Sequence, residues 1–329
     1  MKIAYLDLTF TYFFEDYSLQ PKRYGGGRIF AAYLKEMGDF HIFAAPQCFE
    51  NLQPWESRSN CHELSPEQRR LLTMGVPVHT VVEELKDYDI ILHPHVHVHL
   101  NCNGVRAKQV IWQLGVAEAV HDFHSRVILY NDYQQPRINN PNAKIYKFTL
   151  GTQIPEVFRP HKKEDFIFQC SRHVYDFNSR DVAMFCNKFG IKGYFGGPID
   201  PSYNLLEFID NKNTFYLGEM SEKDKLDFSS RARLYTLIHN WPTPFSLSAV
   251  EALMNGTPVA CTHQGFWPSL IKDGVNGFFV HNEPELLKAW EKSAEINQYE
   301  CYKSILKHNH LSMLDTLYTV FREIHIDTK

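Results

Sequence analysis

Residues 241–260 read Trp241-Pro-Thr-Pro-Phe-Ser-Leu-Ser-Ala-Val-Glu-Ala-Leu-Met-Asn-Gly-Thr-Pro-Val-Ala260, a stretch that predicts a turn, a helix and a buried strand. The prolines at 242 and 244 favour extended backbone, so a serine at 246 or 248 can cap a helix that runs to about residue 254. Gly256 then ends the helix, and a short strand at 259–261 follows. A helix that begins after a tight turn presents free backbone N–H groups and a positive dipole end, which suit a diphosphate. Glu251, inside the helix, has the reach to accept hydrogen bonds from a ribose diol.

Length and composition indicate an ordinary globular protein of two domains. The chain has 329 residues, 44% of them hydrophobic and 22% charged, which suits two domains of roughly 150 residues each. The formal net charge of -4 argues against a dedicated polyanion binder, so no nucleic acid is expected as a partner.

The cysteines and the N-terminus bear on the cellular compartment. The 7 cysteines are widely spaced and form no C-x-x-C pair, which fits reduced thiols in a cytosolic setting. The N-terminus predicts a strand rather than a signal peptide, and no apolar run approaches the ~18 residues of a membrane span. We expect a cytoplasmic protein, and peripheral membrane contact stays open.

Two series of short apolar strands alternating with helices run along the chain, which favours parallel sheets covered on both faces. A polar, proline-bearing stretch at 158–165 is the best candidate for a linker between them. The sequence therefore predicts an α/β protein with an N-terminal domain at 1–158, a C-terminal domain at 159–305 and a final segment at 306–329. Predicted strands are 3–8, 40–44, 88–92, 109–113, 127–130, 145–149, 166–170, 192–195, 214–217, 234–238, 259–261 and 278–280, and predicted helices include 66–74, 81–86, 179–189, 221–229, 283–295 and 311–324.

Five landmarks between residue 24 and about residue 281 occur in the order and near the spacing seen in one enzyme family. They are YGGGR at 24–28, FTLGTQIPEVFRP at 148–160, FQCSR at 168–172, the stretch at 241–260 and DGVNGFFV at 273–280. Together they resemble glycosyltransferase family 4, whose members are retaining GT-B enzymes. The resemblance implies two Rossmann-like domains facing across a cleft, with the acceptor on the first and a nucleoside diphosphate sugar on the second. It also implies that the final helix returns to the first domain.

The resemblance assigns roles to individual residues. Glu251 would hold the donor ribose, and Arg172, at the carboxyl end of a predicted strand, would hold the diphosphate. Arg180 is a second candidate for the diphosphate, because arginine contacts phosphate in a bidentate manner. The other donor-binding candidates are Gly26 and Gly27 beside the phosphates, Gly218 and Met220 near the base, and Thr243, Phe245, Ser246 and Leu247 around the diphosphate and the sugar.

Several positions depart from the family pattern. The family carries two glutamates separated by seven residues, but Thr243 stands in the place of the first, which in the family contacts the donor sugar. A lysine of the family falls on Asn178, a first-domain histidine falls near Leu114, and a loop glutamate is replaced by Pro268-Ser269. These changes imply either a different donor or reduced activity.

The run His93-Pro-His95-Val-His97-Val-His99 is the most unusual local pattern. Alternate residues of a strand project to one side, so four imidazoles could line one face and bind a metal. No acidic or cysteine ligands accompany the run, and four histidines of one strand lack tetrahedral geometry. We therefore expect no metal site. Together with Arg172 and Glu251, His95 of this run is a candidate catalytic residue, with a polar loop or a satisfied core histidine as the alternative.

Each candidate also has a purely structural interpretation. Glu251 could be a carboxylate favoured by the helix dipole, and Arg172 could be a surface arginine. Arg180 could pair with Asp176 or Asp181 on a solvated helix face. The glycine loop lacks the G-x-G-x-x-G spacing of a dinucleotide site and could be a plain left-handed turn.

The sequence predicts a glycosyltransferase that uses a UDP- or GDP-linked sugar and an unidentified acceptor, which is a glycan, a lipid or a small molecule. By resemblance, transfer retains anomeric configuration and needs no metal or other cofactor. One alternative is a degenerate member that binds nucleotide sugar as a scaffold or sensor. A sugar-nucleotide epimerase on the same fold and a metal-dependent hydrolase built on the histidine run are further alternatives.

Overall fold

The computed structural model describes residues 1–6, 39–44, 61–74, 76–93, 100, 102–105, 108–112, 126–129, 138, 140–148, 150–174, 178–243 and 245–327. The chain divides into two compact units, one formed by Met1–Leu150 with His310–Lys329 and the other by Gly151–Asn309. The boundary between the units, after residue 150, lies before the predicted linker at 158–165. Residues just after the boundary already belong to the second unit, since Thr152 pairs with Asn309. The backbone N–H of Thr152 donates to the carbonyl of His308 over 2.8 Å.

The first unit is built on a parallel sheet of seven strands in the order β3-β2-β1-β4-β5-β6-β7. The strands are β1 (Ile3–Leu6), β2 (Phe40–Ala44), β3 (Cys61–Glu63), β4 (Ile90–His93), β5 (Gln109–Trp112), β6 (Arg126–Leu129) and β7 (Lys144–Lys147). Its described helices are α1 (Pro66–Thr73), α2 (His79–Leu85) and, from the C-terminus, α9 (His310–Asp327). Ser65 and Gln68 form a capping box at the start of α1, as the Ser-x-x-Gln spacing favours.

Helix α9 belongs to the first unit although it follows the second unit in sequence. It buries Met313, Leu317, Phe321 and Ile324, which recur at the spacing of one helical face. At its end, Asp327 accepts hydrogen bonds from Lys144 and Tyr146 of β7. These contacts fix the helix on the first sheet.

The second unit is built on a parallel sheet of six strands in the order β10-β9-β8-β11-β12-β13. The strands are β8 (Glu164–Cys170), β9 (Lys192–Gly196), β10 (Thr214–Gly218), β11 (Ala232–Leu237), β12 (Val259–Cys261) and β13 (Gly277–Phe279). The helices are α3 (Ser179–Phe189), α4 (Glu222–Arg231), α5 (Leu247–Met254), α6 (Trp267–Leu270), α7 (Glu283–Ser293) and α8 (Gln298–Ser304). Short 3₁₀ turns lie at Leu205–Phe208 and Leu306–His308.

The second sheet is covered on both faces because neighbouring strand residues point to opposite sides. Phe168 and Tyr235 lie in a buried cluster with residues of α5 and α8. The residues just before them, Ile167 and Leu234, lie in a separate cluster with residues of α3 and α7. Burial on both faces explains why the strands are continuous apolar runs in the sequence. Helix α5 packs against the sheet through its own apolar face.

No helix in the described part of the chain is long and apolar enough to cross a membrane. The predicted glycine loop at 25–27 and the residues that follow β4, including His95, lie outside the described residues.

Candidate functional site

The strand order of the second sheet creates a switch point between β8 and β11. From β8 the chain winds outward through β9 and β10, and from β11 it winds the other way through β12 and β13. Loops that leave two such neighbouring strands diverge, so ligands of open parallel sheets bind outside the strand carboxyl ends at this point. Here those ends are Cys170 and Leu237. Of the candidates, Arg172 follows β8, while Thr243, Phe245 and Ser246 follow β11.

The segment after β8 packs closely on the end of β9. Gly197 has φ +111°, and a Cβ on it would overlap the carbonyl oxygen of Ser171, so glycine is required there. The backbone N–H of Ser171 donates to the carbonyl of Gly196 over 3.1 Å. Arg172 is exposed beyond this contact. Hydrogen bonds from Ser202, together with the positive charge of Arg172, lower the pKa of Asp200.

A buried polar network anchors the same segment to the start of α3. Nε2 of His173 donates to the carbonyl of Gly196 over 3.0 Å, so Nδ1 accepts from the Ser179 hydroxyl at 2.7 Å. Nε2 of Gln169 donates to the same hydroxyl oxygen over 2.9 Å. Burial lowers the pKa of His173 to about 4, so the imidazole is neutral. The network makes His173 a support for the backbone that carries Arg172.

Gly218 and Met220, the candidates for the base region, lie beside these residues. The carbonyl of Gly218 accepts from the backbone N–H of Gly197 over 2.8 Å. The half-buried Met220 packs so tightly on Gly196 that a Cβ there would overlap its sulfur. The ends of β8, β9 and β10 are thus brought together at one edge.

The loop after β11 leads directly into α5. Ser246 is the N-cap, and its hydroxyl accepts from the backbone N–H of Ala249 over 3.5 Å. Leu247, the first helical residue, is half-buried. The Phe245 ring packs against Phe266, with ring centroids 5.0 Å apart. The predicted cap and helix are therefore present.

Thr243 is held by its backbone, not by its side chain. Its carbonyl accepts from the backbone N–H of Phe266 over 2.9 Å, and Gly265, at φ +64°, approaches so closely that a Cβ would overlap that carbonyl. The Thr243 hydroxyl is buried without a hydrogen-bond partner among the described residues. A buried hydroxyl in this state costs free energy unless a ligand or water satisfies it.

Glu251 lies deeper in α5 than the helix start and is 5% exposed. The ammonium of Lys225, on α4, lies 2.8 Å from Oε2 of Glu251, and the same ammonium lies 2.9 Å from Oε2 of Glu222. Burial raises the pKa of Glu251, and Lys225 opposes that shift. Burial lowers the pKa of Lys225, but the negative charges of Glu251 and Glu222 have the larger effect and raise that pKa to about 12.

Arg180 and Asn178 lie at the start of α3. The Arg180 guanidinium lies 5.6 Å from the centroid of the Phe208 ring. The backbone N–H of Arg180 donates to the Tyr203 hydroxyl. Asn178 donates through Nδ2 to Oδ1 of Asn240 over 3.1 Å, which links α3 to the loop after β11. In this arrangement Arg180 stacks on a ring of its own domain.

Sequence reasoning missed Lys225 and the His173 network. Lys225 lies on a helix with charges at 222, 223 and 224, a pattern typical of a solvated face. Its partner Glu251 lies 26 positions later in the sequence, and only the packing of α4 on α5 brings the two side chains together. His173 and Ser179 carried no motif that would have distinguished them from surface residues.

In the first unit the corresponding switch point lies between β1 and β4. β4 ends at His93, so the histidine run begins there. Gly26, Gly27 and His95 lie outside the described residues. Within the residues that are described, no group of three or more His, Cys, Asp or Glu side chains could hold a metal ion.

One family model and several solved structures are similar to this chain. Residues 203–300 match the family described as Glycosyl transferases group 1. This span contains Gly218, Met220, Lys225, Thr243 and Glu251, and it begins after Arg172 and Arg180. No match to the chain was found among curated protein sequences.

Three solved structures are similar over nearly the whole chain. Anabaena HepE in complex with UDP and glucose has a TM-score of 0.72 at 15% identity, covering 98% of this chain and 100% of that one. Sucrose-phosphate synthase from Thermosynechococcus elongatus has a TM-score of 0.74 at 13% identity, covering 99% of each chain. AviGT4, a glycosyltransferase involved in avilamycin A biosynthesis, has a TM-score of 0.66 at 17% identity, covering 99% of this chain and 98% of that one.

The predicted fold class is confirmed by these similarities. The chain has the α/β architecture of GT-B glycosyltransferases, with one parallel sheet in each unit.

Proposed function

We propose that the protein is a glycosyltransferase that moves a sugar from a UDP- or GDP-linked donor to a glycan, lipid or small-molecule acceptor. The observation that carries the proposal is the switch point of the second sheet, where Arg172 and the N-terminus of α5 lie at the same strand edge. Most of that site lies within the residues that match the glycosyltransferase family. HepE, which shares the fold, has been seen with UDP and with UDP-glucose.

The chemistry asked of this site is electrostatic. The bond between the anomeric carbon and the diphosphate oxygen breaks, a bond from the acceptor oxygen to that carbon forms, and the acceptor proton passes to the departing phosphate. Negative charge therefore grows on the diphosphate, and fixed donors stabilise it without reorganising. The amides at the start of α5 and the Arg172 guanidinium are such donors, and Ser246 preorganises the helix end.

Retention and metal independence are part of the proposal. Front-face departure uses the donor phosphate as the base, so the reaction needs no protein nucleophile. Arginine and helix amides take the place that a divalent cation fills in other transferases. Transfer should persist in excess EDTA, and strict dependence on added magnesium or manganese would overturn this part.

The first experiment is nucleotide binding. Calorimetry with UDP, GDP and their hexose conjugates should give saturable binding to one base class. Glu251→Gln should weaken that binding about tenfold or more, because the amide is uncharged and has an NH₂ donor in place of one accepting oxygen. Arg172→Gln should weaken nucleoside diphosphate binding by about 1.5–3 kcal/mol, the range for a hydrogen bond to a charged group.

The matched control for Arg172→Gln is Arg322→Gln, since Arg322 is an exposed arginine of α9 in the first unit. Its binding should equal that of the wild-type protein. Absence of binding to every nucleotide by the wild-type protein would contradict the proposed function.

The Thr243 environment favours a second candidate, a nucleotide-sugar binder with little transferase activity. The hydroxyl is buried and unpartnered among the described residues, at the position where the related family carries a sugar-binding carboxylate. Slow hydrolysis of the bound donor without acceptor would favour the transferase. Tight binding with neither hydrolysis nor transfer to any sugar, lipid or small-molecule acceptor would favour the binder.

A further inference from the structure

The most unusual charged group of the second unit is the ion pair between α4 and α5. The Glu251 side chain is 6% exposed and that of Lys225 is 16% exposed, and their charged atoms are 2.8 Å apart. Lys225 also contacts Glu222, whose side chain is 63% exposed. The lysine therefore reaches from the protein surface to a carboxylate that is almost fully buried.

Such a pair is expensive to bury and contributes little to stability by itself. Two desolvated charges commonly stabilise a protein less than apolar residues of the same volume. A role other than stability is therefore worth testing. The position of Glu251, on the helix whose N-terminus is the candidate diphosphate site, suggests what that role is.

A lone carboxyl group in this environment would favour its neutral form, because burial disfavours charge. The charged and titratable groups that act on Glu251 are Lys225 and Glu222 of α4 and the phenol of Tyr235 on β11. Lys225 is the one cation among these described groups. A neutral carboxyl group turns one of its oxygens into a hydroxyl donor, whereas the carboxylate is acceptor-only and makes stronger, charge-assisted hydrogen bonds with the hydroxyls of a diol.

We propose that Lys225 is a positioning residue that keeps Glu251 ionised and oriented to accept the ribose diol of the donor nucleotide. This inference rests on the proposed function, in which Glu251 contacts the ribose. Lys225 lies 2.8 Å from Oε2, which is buried, so Oε1 remains for the ligand. The ammonium does not touch the nucleotide.

The experiment compares two ligands on one protein, so that any loss of folded protein cancels. The probes are UDP or GDP, whichever binds, and its 2′,3′-dideoxy analogue, and the readout is the ratio of their dissociation constants. In the wild-type protein the ribonucleotide should bind about tenfold or more tightly near pH 7 and near pH 9. In Lys225→Met the ratio should fall towards one near pH 7 and rise again towards pH 9, because a higher pH favours the ionised carboxylate.

Three further variants make the result specific. Lys225→Arg keeps the cation and should restore most of the ratio near pH 7. Glu251→Gln should hold the ratio near one at both pH values. Lys223→Met removes an exposed lysine of the same helix and should leave the ratio unchanged.

Two results overturn the inference. The first is that Lys225→Met near pH 7 has the same ratio of dissociation constants as the wild-type protein. The second is that the ratio in Lys225→Met stays near one at both pH values. Failure of the wild-type protein to bind any nucleoside diphosphate is a different outcome, because it rejects the proposed function itself. If Lys225→Met does not fold, Lys225→Gln serves the same comparison.

Discussion

At the scale of single residues, a half-buried lysine, Lys163, fixes the ends of two helices. Nζ of Lys163 donates to the carbonyl of Ser230 over 2.7 Å and to that of Asn255 over 3.0 Å, at the C-terminal ends of α4 and α5. The Thr257 hydroxyl donates to the carbonyl of Ser229, so its oxygen is free to accept a hydrogen bond from Nζ of Lys163 over 2.6 Å. Burial lowers the pKa of Lys163 to about 7, but a neutral amine could fill only two of the three acceptors.

Replacing this lysine should therefore be costly. In Lys163→Met the carbonyls of Ser230 and Asn255 and the Thr257 hydroxyl lose their shared donor, so the free energy of unfolding should fall by about 2–4 kcal/mol. Urea denaturation followed by circular dichroism measures the change. Lys162→Met removes an exposed neighbour and should cost less than about 0.5 kcal/mol. Equal effects of the two substitutions would contradict the helix-capping role.

The residue scale also shows which parts of the site a sequence can predict. The sequence predicts a cap at Ser246 or Ser248, because a hydroxyl after a proline-rich turn has a local partner, and in the structure Ser246 caps α5. Lys225 was not expected, because its partner is distant in sequence and its neighbours on α4 resemble a solvated face. Contacts between residues close in sequence can be predicted from the sequence. Contacts between side chains of different elements cannot, because they depend on how those elements pack.

At the scale of elements, periodicity located most strands and helices of the second unit. Helix α3 has the predicted bounds of 179–189 and β12 those of 259–261, since long amphipathic and short apolar runs have clear ends. Strand β3, with the sequence CHE, and helix α8, with the sequence QYECYKS, were missed. Segments this short and polar carry no readable period and exist because neighbouring elements supply their partners.

The junction of β8, β9 and α3 should respond to acid through His173. Burial lowers the pKa of His173 to about 4 in the folded protein, whereas the unfolded chain has the ordinary histidine value of 6.5. Between these values the unfolded chain binds a proton that the folded protein does not, so stability is present above pH 6.5 and is lost as pH falls towards 4. The loss approaches about 1.4 kcal/mol per pH unit.

Urea titrations at several pH values between 6.5 and about 4.5 test this dependence. His173→Asn should be less stable near pH 7 but should lose less stability on acidification than the wild-type protein. His239, whose pKa burial lowers to about 3, contributes a slope of its own that both proteins share. An unchanged slope in the variant would show that His173 does not titrate in this window.

At the scale of the whole molecule, the two units differ in how the chain builds them. All the candidate nucleotide residues that the structure describes lie in Gly151–Asn309, which is continuous in sequence and has buried clusters on both faces of its sheet. The first unit is discontinuous, because its sheet needs α9 from the C-terminus. The chain enters and leaves the second unit at neighbouring points, since Thr152 pairs with Asn309.

This arrangement predicts which fragments fold. A fragment of residues 151–309 should unfold cooperatively and bind UDP or GDP within about tenfold of the full chain, because it keeps both clusters and the strand edge that carries Arg172. A fragment of residues 1–150 should lack a cooperative transition, since it loses the buried face of α9, including Leu317 and Phe321. Joining residue 150 to residue 310 through about four glycine and serine residues should restore it, because the two crossings lie side by side. Thermal unfolding and calorimetry measure all three, and a stable 1–150 fragment would show that α9 is dispensable for the first unit.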